Sequence, residues 1–275
     1  MLGAITGDII GSRWEFIPTN DYNFPLLSEE NSFTDDSICT VAVADALLKH
    51  HDMGISMHEW CRRYPTPMGG YGGRFAQWVR STDYAPYNSL GNGSAMRVSP
   101  VGWWFDITDP NLVEYAKLSA ACTHNHPEGI TGATAVALAI AGCRAMRQQN
   151  DGKPITQEML RETGLAPAIK LVVEAGWPNP LTLDVEEYRN RFDETCRGTM
   201  PVALHIMLQS HSFEDAVRRA VSLGADADTL GAIVGSIAEV IWDIPSEIKS
   251  AVMQYLPDEM KTVIDRFYNH IQTPA

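Results

Sequence analysis

The chain has 275 residues and a mass of 30.4 kDa, with 45% hydrophobic and 20% charged residues, which excludes a disordered polymer and allows one large domain or two small ones. Lys and Arg number 21 against 34 Asp and Glu, and the formal net charge of −13 argues against broad binding to nucleic acid or to an anionic membrane. An anionic small molecule stays possible wherever local cations offset that field.

The first ten residues, MLGAITGDII, are apolar, but no Lys or Arg precedes them and Asp8 interrupts them, so they do not read as a signal peptide. Gly3, Gly7 and Gly11 recur every four residues and predict a smooth stripe on one helix face. No strand pattern precedes them and the spacing is wrong for a dinucleotide fingerprint, so the stripe is a packing signal. Glu15 follows, either a surface acid paired with Arg13 or a functional carboxylate.

Thr34-Asp35-Asp36-Ser37 opens a predicted helix over Asp36 to Lys49, with Ile38, Val41, Ala42, Asp45 and Leu48 on one face. Thr, Asp and Ser all suit an N-cap, and an acid suits the positive end of the helix dipole. A cap needs one such residue, and this stretch has several.

Pro and Gly gather in Tyr64 to Gly73 and in Ala85 to Gly93, which are predicted loops. Gly91-Asn92-Gly93-Ser94-Ala95-Met96-Arg97 is either an Asn-Gly turn or a place where backbone N–H groups meet a phosphate. The Lys and spacing of a P-loop are missing, and Arg97, a turn into the following helix, reads as structural. Thr123-His124-Asn125-His126-Pro127 offers two histidines that either ligate a metal or cap and pack.

Helical spacing continues over Pro127 to Arg147, whose most apolar stretch, Ile130 to Cys143, is too short to span a bilayer. Arg147 to Thr163 is polar and predicts a surface excursion between two helical halves. Met200 to Gln209, Ser212 to Leu223, Thr229 to Trp242 and Pro257 to Ile271 are further predicted helices, with Ser212 as an N-cap and Asp215 as a capping-box-like acid. Asp226-Ala227-Asp228-Thr229-Leu230-Gly231 repeats the earlier pattern: a Thr and two Asp before a helix of small residues. Should the two helix starts meet, four carboxylates and two hydroxyls converge, an oxygen-only set that suits Mg²⁺, Mn²⁺ or Ca²⁺ rather than zinc.

Alternating strand patterns are scarce and no linker divides the chain, so the expected fold is all-α, a single compact domain over residues 1–275 built as an orthogonal bundle. Five scattered cysteines with no CxxC pair predict reduced thiols and a cytoplasmic location.

These motifs together resemble the ADP-ribosylglycohydrolase family, which includes the dinitrogenase reductase-activating glycohydrolase and the ADP-ribosylarginine and ADP-ribosylserine hydrolases. The resemblance runs from Gly3 to about Trp242 and rests on the order of Gly3 to Gly11, Glu15, Thr34 to Ser37, Gly70-Tyr71-Gly72, Gly91 to Arg97, Thr123-His124 and Asp226 to Gly231. It implies a metal-dependent glycosidase-type hydrolase that releases ADP-ribose from an acceptor and so reverses ADP-ribosylation. It implies a cleft with two Mg²⁺ (or Mn²⁺), one held by Thr34, Asp35 and Asp36 and the other by Asp226, Asp228 and Thr229. It further implies that Gly70, Tyr71, Gly72, Gly91, Asn92, Gly93 and Ser94 cradle the pyrophosphate and ribose, with His124 at the ligand's edge. Glu15, Asp35 and Asp228 are the expected catalytic acids, Glu15 as base, ligand or orienter. The expected partner is ADP-ribose or an ADP-ribosylated substrate, with no broad nucleic-acid or membrane binding, and with a monomer as the simplest assembly. Two alternatives stay open, a hydrolase of a small ADP-ribose conjugate or other ribosyl glycoside, and a non-catalytic ADP-ribose-binding protein.

Overall fold

In the computed structural model, which describes residues 1–151 and 153–272, the regular elements are helices and no strand forms among the described residues. Gly152 and the last three residues of the expected 1–275 domain lie outside the described residues. In chain order the α-helices are α1 (Leu2–Gly11), α2 (Asp35–Lys49), α3 (Met53–Arg63), α4 (Gly73–Arg80) and α5 (Gly93–Arg97). There follow α6 (Ser99–Trp104), α7 (Asn111–Ala121), α8 (Pro127–Gln149), α9 (Gln157–Met159) and α10 (Ala166–Glu174). The chain closes with α11 (Cys196–Gln209), α12 (Phe213–Ser222), α13 (Ala227–Ile241), α14 (Ser246–Val252) and α15 (Asp258–Gln272).

Caps set several of these starts. Thr34 caps α2 by accepting from the Asp36 N–H at 3.2 Å, and Ser212 caps α12 by accepting from the Asp215 N–H at 3.0 Å. The Asp215 carboxylate returns a bond to the N–H of His211, one residue outside the cap, rather than to Ser212 itself. Asp52 and Thr195 cap α3 and α11 in the same way. The polar stretch after α8 is not purely a surface excursion: it carries α9 and a π-helical turn whose Leu160 and Gly164 are buried.

The small-residue helices form the centre. Along α1 the glycine stripe meets α13 backbone to backbone: an added Cβ at Gly3, Gly7 or Gly11 would overlap the carbonyl of Gly235, Gly231 or Ala227, in that order. The pairing is antiparallel, so the end of α1 lies beside the start of α13. α8 extends further than its apolar stretch, to 23 residues, and is the one described helix whose length and composition would suit a membrane crossing. Of an apolar 18-residue window of α8, 72% is buried, with α7, α10 and α13 packed against the helix.

Candidate active site

Three helix ends meet in one place. The α1–α13 contact brings Asp8 and, just beyond α1, Glu15 to the first turn of α13. Asp8, with 0% of its surface exposed, then ties down the start of α2. Its Oδ1 accepts from the Thr34 hydroxyl at 2.7 Å. Its Oδ2 accepts from the N–H of Thr34 at 3.0 Å, the N–H of Ser37 at 3.1 Å and the Ser37 hydroxyl. Because Thr34 is the cap, neither Asp35 nor Asp36 is consumed by the helix start.

At α13 no side chain caps the helix. Asp226 instead accepts from the Asn92 amide at 2.7 Å, and the same amide reaches the Thr199 hydroxyl at 3.1 Å. Asp228 accepts from the Thr229 N–H at 2.9 Å. The Thr229 hydroxyl lies 3.4 Å from Asp36 Oδ2, across 193 residues of sequence. Asp8, Asp36 and Asp228 each present an oxygen within 4.8 Å of the others'. The two Thr-Asp clusters therefore do converge.

Bringing acids together out of water is costly unless something compensates. Burial, then the neighbouring carboxylates Asp8 and Glu15, hold Asp35 well above the usual carboxylate range. Burial with Asp8 and Asp35 does the same to Asp36, and burial with Asp36 and Asp226 to Asp228. Burial raises Asp8 and Asp226 to about 6, held back by the donors from Ser37, Thr34 and Asn92. Glu15 is raised to about 7, first by burial, then by Asp226 and Asp8. Asp36 Oδ1 and Glu15 Oε2 are buried without any hydrogen-bond partner. Orphaned carboxylate oxygens in a crowd of buried acids fit a hard divalent cation, which would neutralise the repulsion and fill the empty lone pairs.

Glu15, Asp35, Asp36, Asp226 and Asp228, but not Asp8, line a cleft of about 570 Å³ whose other walls include Gly69 to Phe75, Tyr87 to Gly93, Arg97, His124 and Glu194. Gly70, Tyr71, Gly72, Gly91, Asn92, Gly93 and His124 thus reach the cleft. Ser94 does not: it is fully buried, its hydroxyl donates to the Gly129 carbonyl at 2.7 Å, and it is absent from the cleft lining, so the expected contact of Ser94 with a ligand is not met in this geometry. The Gly91 and Asn92 N–H groups are spent inside the protein, on Ser89 Oγ and the Glu194 carbonyl. The N–H groups of Gly93 and Ser94 stand at the start of α5, where no helical acceptor exists for them.

Burial and the cations Arg97 and Arg74 hold His124 well below the usual histidine range, so its ring is neutral near pH 7. Its Nδ1 pairs with the Thr123 hydroxyl at 2.7 Å, and its Nε2 packs against Gly93. His126 caps α8, accepting from the Glu128 N–H at 3.2 Å. Arg97, wholly buried, donates to the Ser119 carbonyl at the end of α7 and to Thr123, a structural use of its charge.

Several site residues are not visible in the sequence, among them Asp8, Gly69 and the cleft-wall residues Arg74 and Glu194. Asp8 read only as an interruption, although a lone acid in a glycine-striped apolar helix is a signal in itself, because such an acid is buried only when engaged. Gly69, at φ 74°, leaves no room for a side chain, since a Cβ there would overlap the Glu15 carboxylate.

The chain is similar to known proteins over most of its length. The family model for ADP-ribosylglycohydrolase matches residues 1–275. An uncharacterized protein of Archaeoglobus fulgidus is 34% identical over 151 residues, 53% of this chain, and the match spans about half of that relative's length, 47%. The ADP-ribosylarginine hydrolase Tri1 of Pseudomonas putida is 23% identical over 89% of this chain and 70% of its own. The ADP-ribosyl-[dinitrogen reductase] glycohydrolase of Rhodospirillum rubrum is 23% identical over 96% of this chain and 92% of its own. Among solved structures, an ADP-ribosylglycohydrolase-related protein complex superposes with a TM-score of 0.67 at 25% identity, covering 98% of this chain and 95% of that one.

Proposed function

Since the chain belongs to the ADP-ribosylglycohydrolase family, we propose that it is a divalent-cation-dependent hydrolase that cleaves the glycosidic bond between ADP-ribose and an acceptor. The observation that carries this reading is the meeting of Thr34-Asp35-Asp36 with Asp226, Asp228 and Thr229 in one cleft beside Glu15. Thr34, Asp35 and Asp36 would hold one ion and Asp226, Asp228 and Thr229 a second, with Mg²⁺ or Mn²⁺ as the hard cations of choice. Bound there, the ions supply charge compensation, a fixed anchor for ribose hydroxyls and activation of water.

The chain's own residues supply the rest. Glu15, with one oxygen engaged by nothing in the protein, receives the proton of the attacking water. Leaving-group departure builds positive charge on the ribose ring, and the surrounding carboxylates stabilise it. The N–H group of Gly93 faces the pyrophosphate, with Gly70, Tyr71 and Gly72 opposite. His124, neutral, packs the Gly91–Gly93 loop and borders the ligand. Two relatives are named for ADP-ribosyl substrates, one of them ADP-ribosylarginine, which makes an arginine-linked substrate the first to try.

The test is a panel of ADP-ribosylated arginine, serine and DNA substrates and small ribosides, assayed for released ADP-ribose. The wild type with Mg²⁺ releases ADP-ribose from at least one member, and Asp35→Ala and Asp228→Ala release none. Tight binding of ADP-ribose with no turnover of any member would instead make the protein a binding module.

A further inference from the structure

Asp8 stands apart from the other acids of the cluster in how fully the protein itself engages it. Three donors fill its Oδ2: the N–H groups of Thr34 and Ser37 and the Ser37 hydroxyl. Its Oδ1 takes the Thr34 hydroxyl at 2.7 Å. A threonine hydroxyl has one proton and two lone pairs. The competing acceptor, Asp36 Oδ2, is 3.4 Å away, so the proton belongs to Asp8. One lone pair of Thr34 Oγ1 accepts from the Asp36 N–H at 3.2 Å, and one is left over.

We infer that Asp8 is a positioning residue: by taking the Thr34 hydroxyl proton and pinning the turn from Thr34 to Ser37, it presents the remaining Thr34 lone pair and the Asp35 and Asp36 carboxylates to a divalent cation. The inference rests on the metal-dependent reading above and assigns a task to a residue outside the expected ligand set. It also accounts for the residue type. An asparagine at position 8 has the same shape but carries an NH₂ group in place of one oxygen. Facing the N–H groups of Thr34 and Ser37, that NH₂ would set donor against donor. Facing Thr34 Oγ1, it would donate to the hydroxyl and turn the hydroxyl proton toward the cation position.

The probe is Mn²⁺, counted by electron paramagnetic resonance and calorimetric titration, with no substrate present. Asp8→Asn should keep the helical content and metal-free melting temperature of the wild type to within a few degrees. It should bind the same number of Mn²⁺ ions with affinity weaker by about tenfold or more. In a Thr34→Ala background, where the hydroxyl is already gone, Asp8→Asn should add a much smaller loss. Ser37→Ala, which removes one donor and leaves the acid, should weaken Mn²⁺ binding to a lesser degree and covers the case in which Asp8→Asn does not fold. Unchanged Mn²⁺ affinity in Asp8→Asn, or in Ser37→Ala if that variant alone folds, overturns the inference. Loss of one bound ion, with an effect that adds in full to that of Thr34→Ala, overturns it in favour of Asp8 as a direct ligand. Wild-type protein that binds no Mn²⁺ overturns the metal-dependent reading itself, and this inference falls with it.

Discussion

Asp36 Oδ1 and Glu15 Oε2 are buried and unpartnered, and the charges bearing on Asp36 are those of other acids. In the metal-free protein these acids hold their protons more tightly folded than unfolded. The folded chain then binds more protons than the unfolded one, so this part of the stability is present at low pH and is lost as pH rises from about 4 through the values of 6 to 7 reached by Asp8, Asp226 and Glu15. A divalent cation competes for the same oxygens. The rise in melting temperature given by Mg²⁺ should therefore be small near pH 5 and grow toward pH 8, and scanning calorimetry with and without Mg²⁺ measures it. An equal rise at both pH values would mean that protons and Mg²⁺ do not compete for these carboxylates. Asn92 is the other residue to change: with Asn92→Ala, Asp226 loses a 2.7 Å bond, and the Mg²⁺ concentration for half-maximal activity should increase about tenfold. The acids of both Thr-Asp clusters were legible because they outnumber what a cap needs. The Asn92 side chain was not, because Asn-Gly spacing points to the backbone and says nothing of a partner 134 residues away.

Between elements, the glycine stripe of α1 is the feature on which the site's geometry hangs. Gly7→Ala places a methyl group into the Gly231 carbonyl, and the helices must part to admit it. Overpacking of that kind costs about 1–3 kcal/mol or more, which for a chain of this size lowers the melting temperature by several degrees. It should also weaken Mg²⁺ binding, because Asp8 and the first turn of α13 move apart. Gly73→Ala is the control, with nothing within 4 Å of the added carbon, and should change stability by less than about 0.5 kcal/mol. The sequence shows that Gly3, Gly7 and Gly11 want a close neighbour, but a period of four is satisfied by any helix with a smooth face, and α8 and α13 both have one. Selection of α13 is a tertiary outcome, settled by Gly231 and Gly235 on the facing side. The stretch from Arg147 to Thr163 shows the opposite limit: its polar composition hides the buried Leu160, since one inward residue does not make a period.

For the molecule as a whole, the net charge of −13 and a cleft with six acids (Glu15, Asp35, Asp36, Glu194, Asp226 and Asp228) are by themselves a poor receiver for a diphosphate. Two divalent cations would carry +4 into that cleft, and Arg74 and Arg97 already line it, so the local field can oppose the global one. The all-α class was legible from helical spacing over most of the chain, and Pro127 and Ser212 marked their helix starts correctly. Convergence of helix starts 193 residues apart does not follow from spacing: the mirrored Thr-Asp clusters pose it as a condition, and the resemblance of ordered motifs turns it into an expectation. Whether these acids work through divalent cations is read from the initial rate of ADP-ribose release from an ADP-ribosylated arginine peptide as Mg²⁺ is added to protein first stripped with EDTA. Release should be absent before addition, recover saturably with Mg²⁺ and fail to recover in Asp36→Asn; a rate that survives EDTA unchanged would mean that the acids work without a divalent cation.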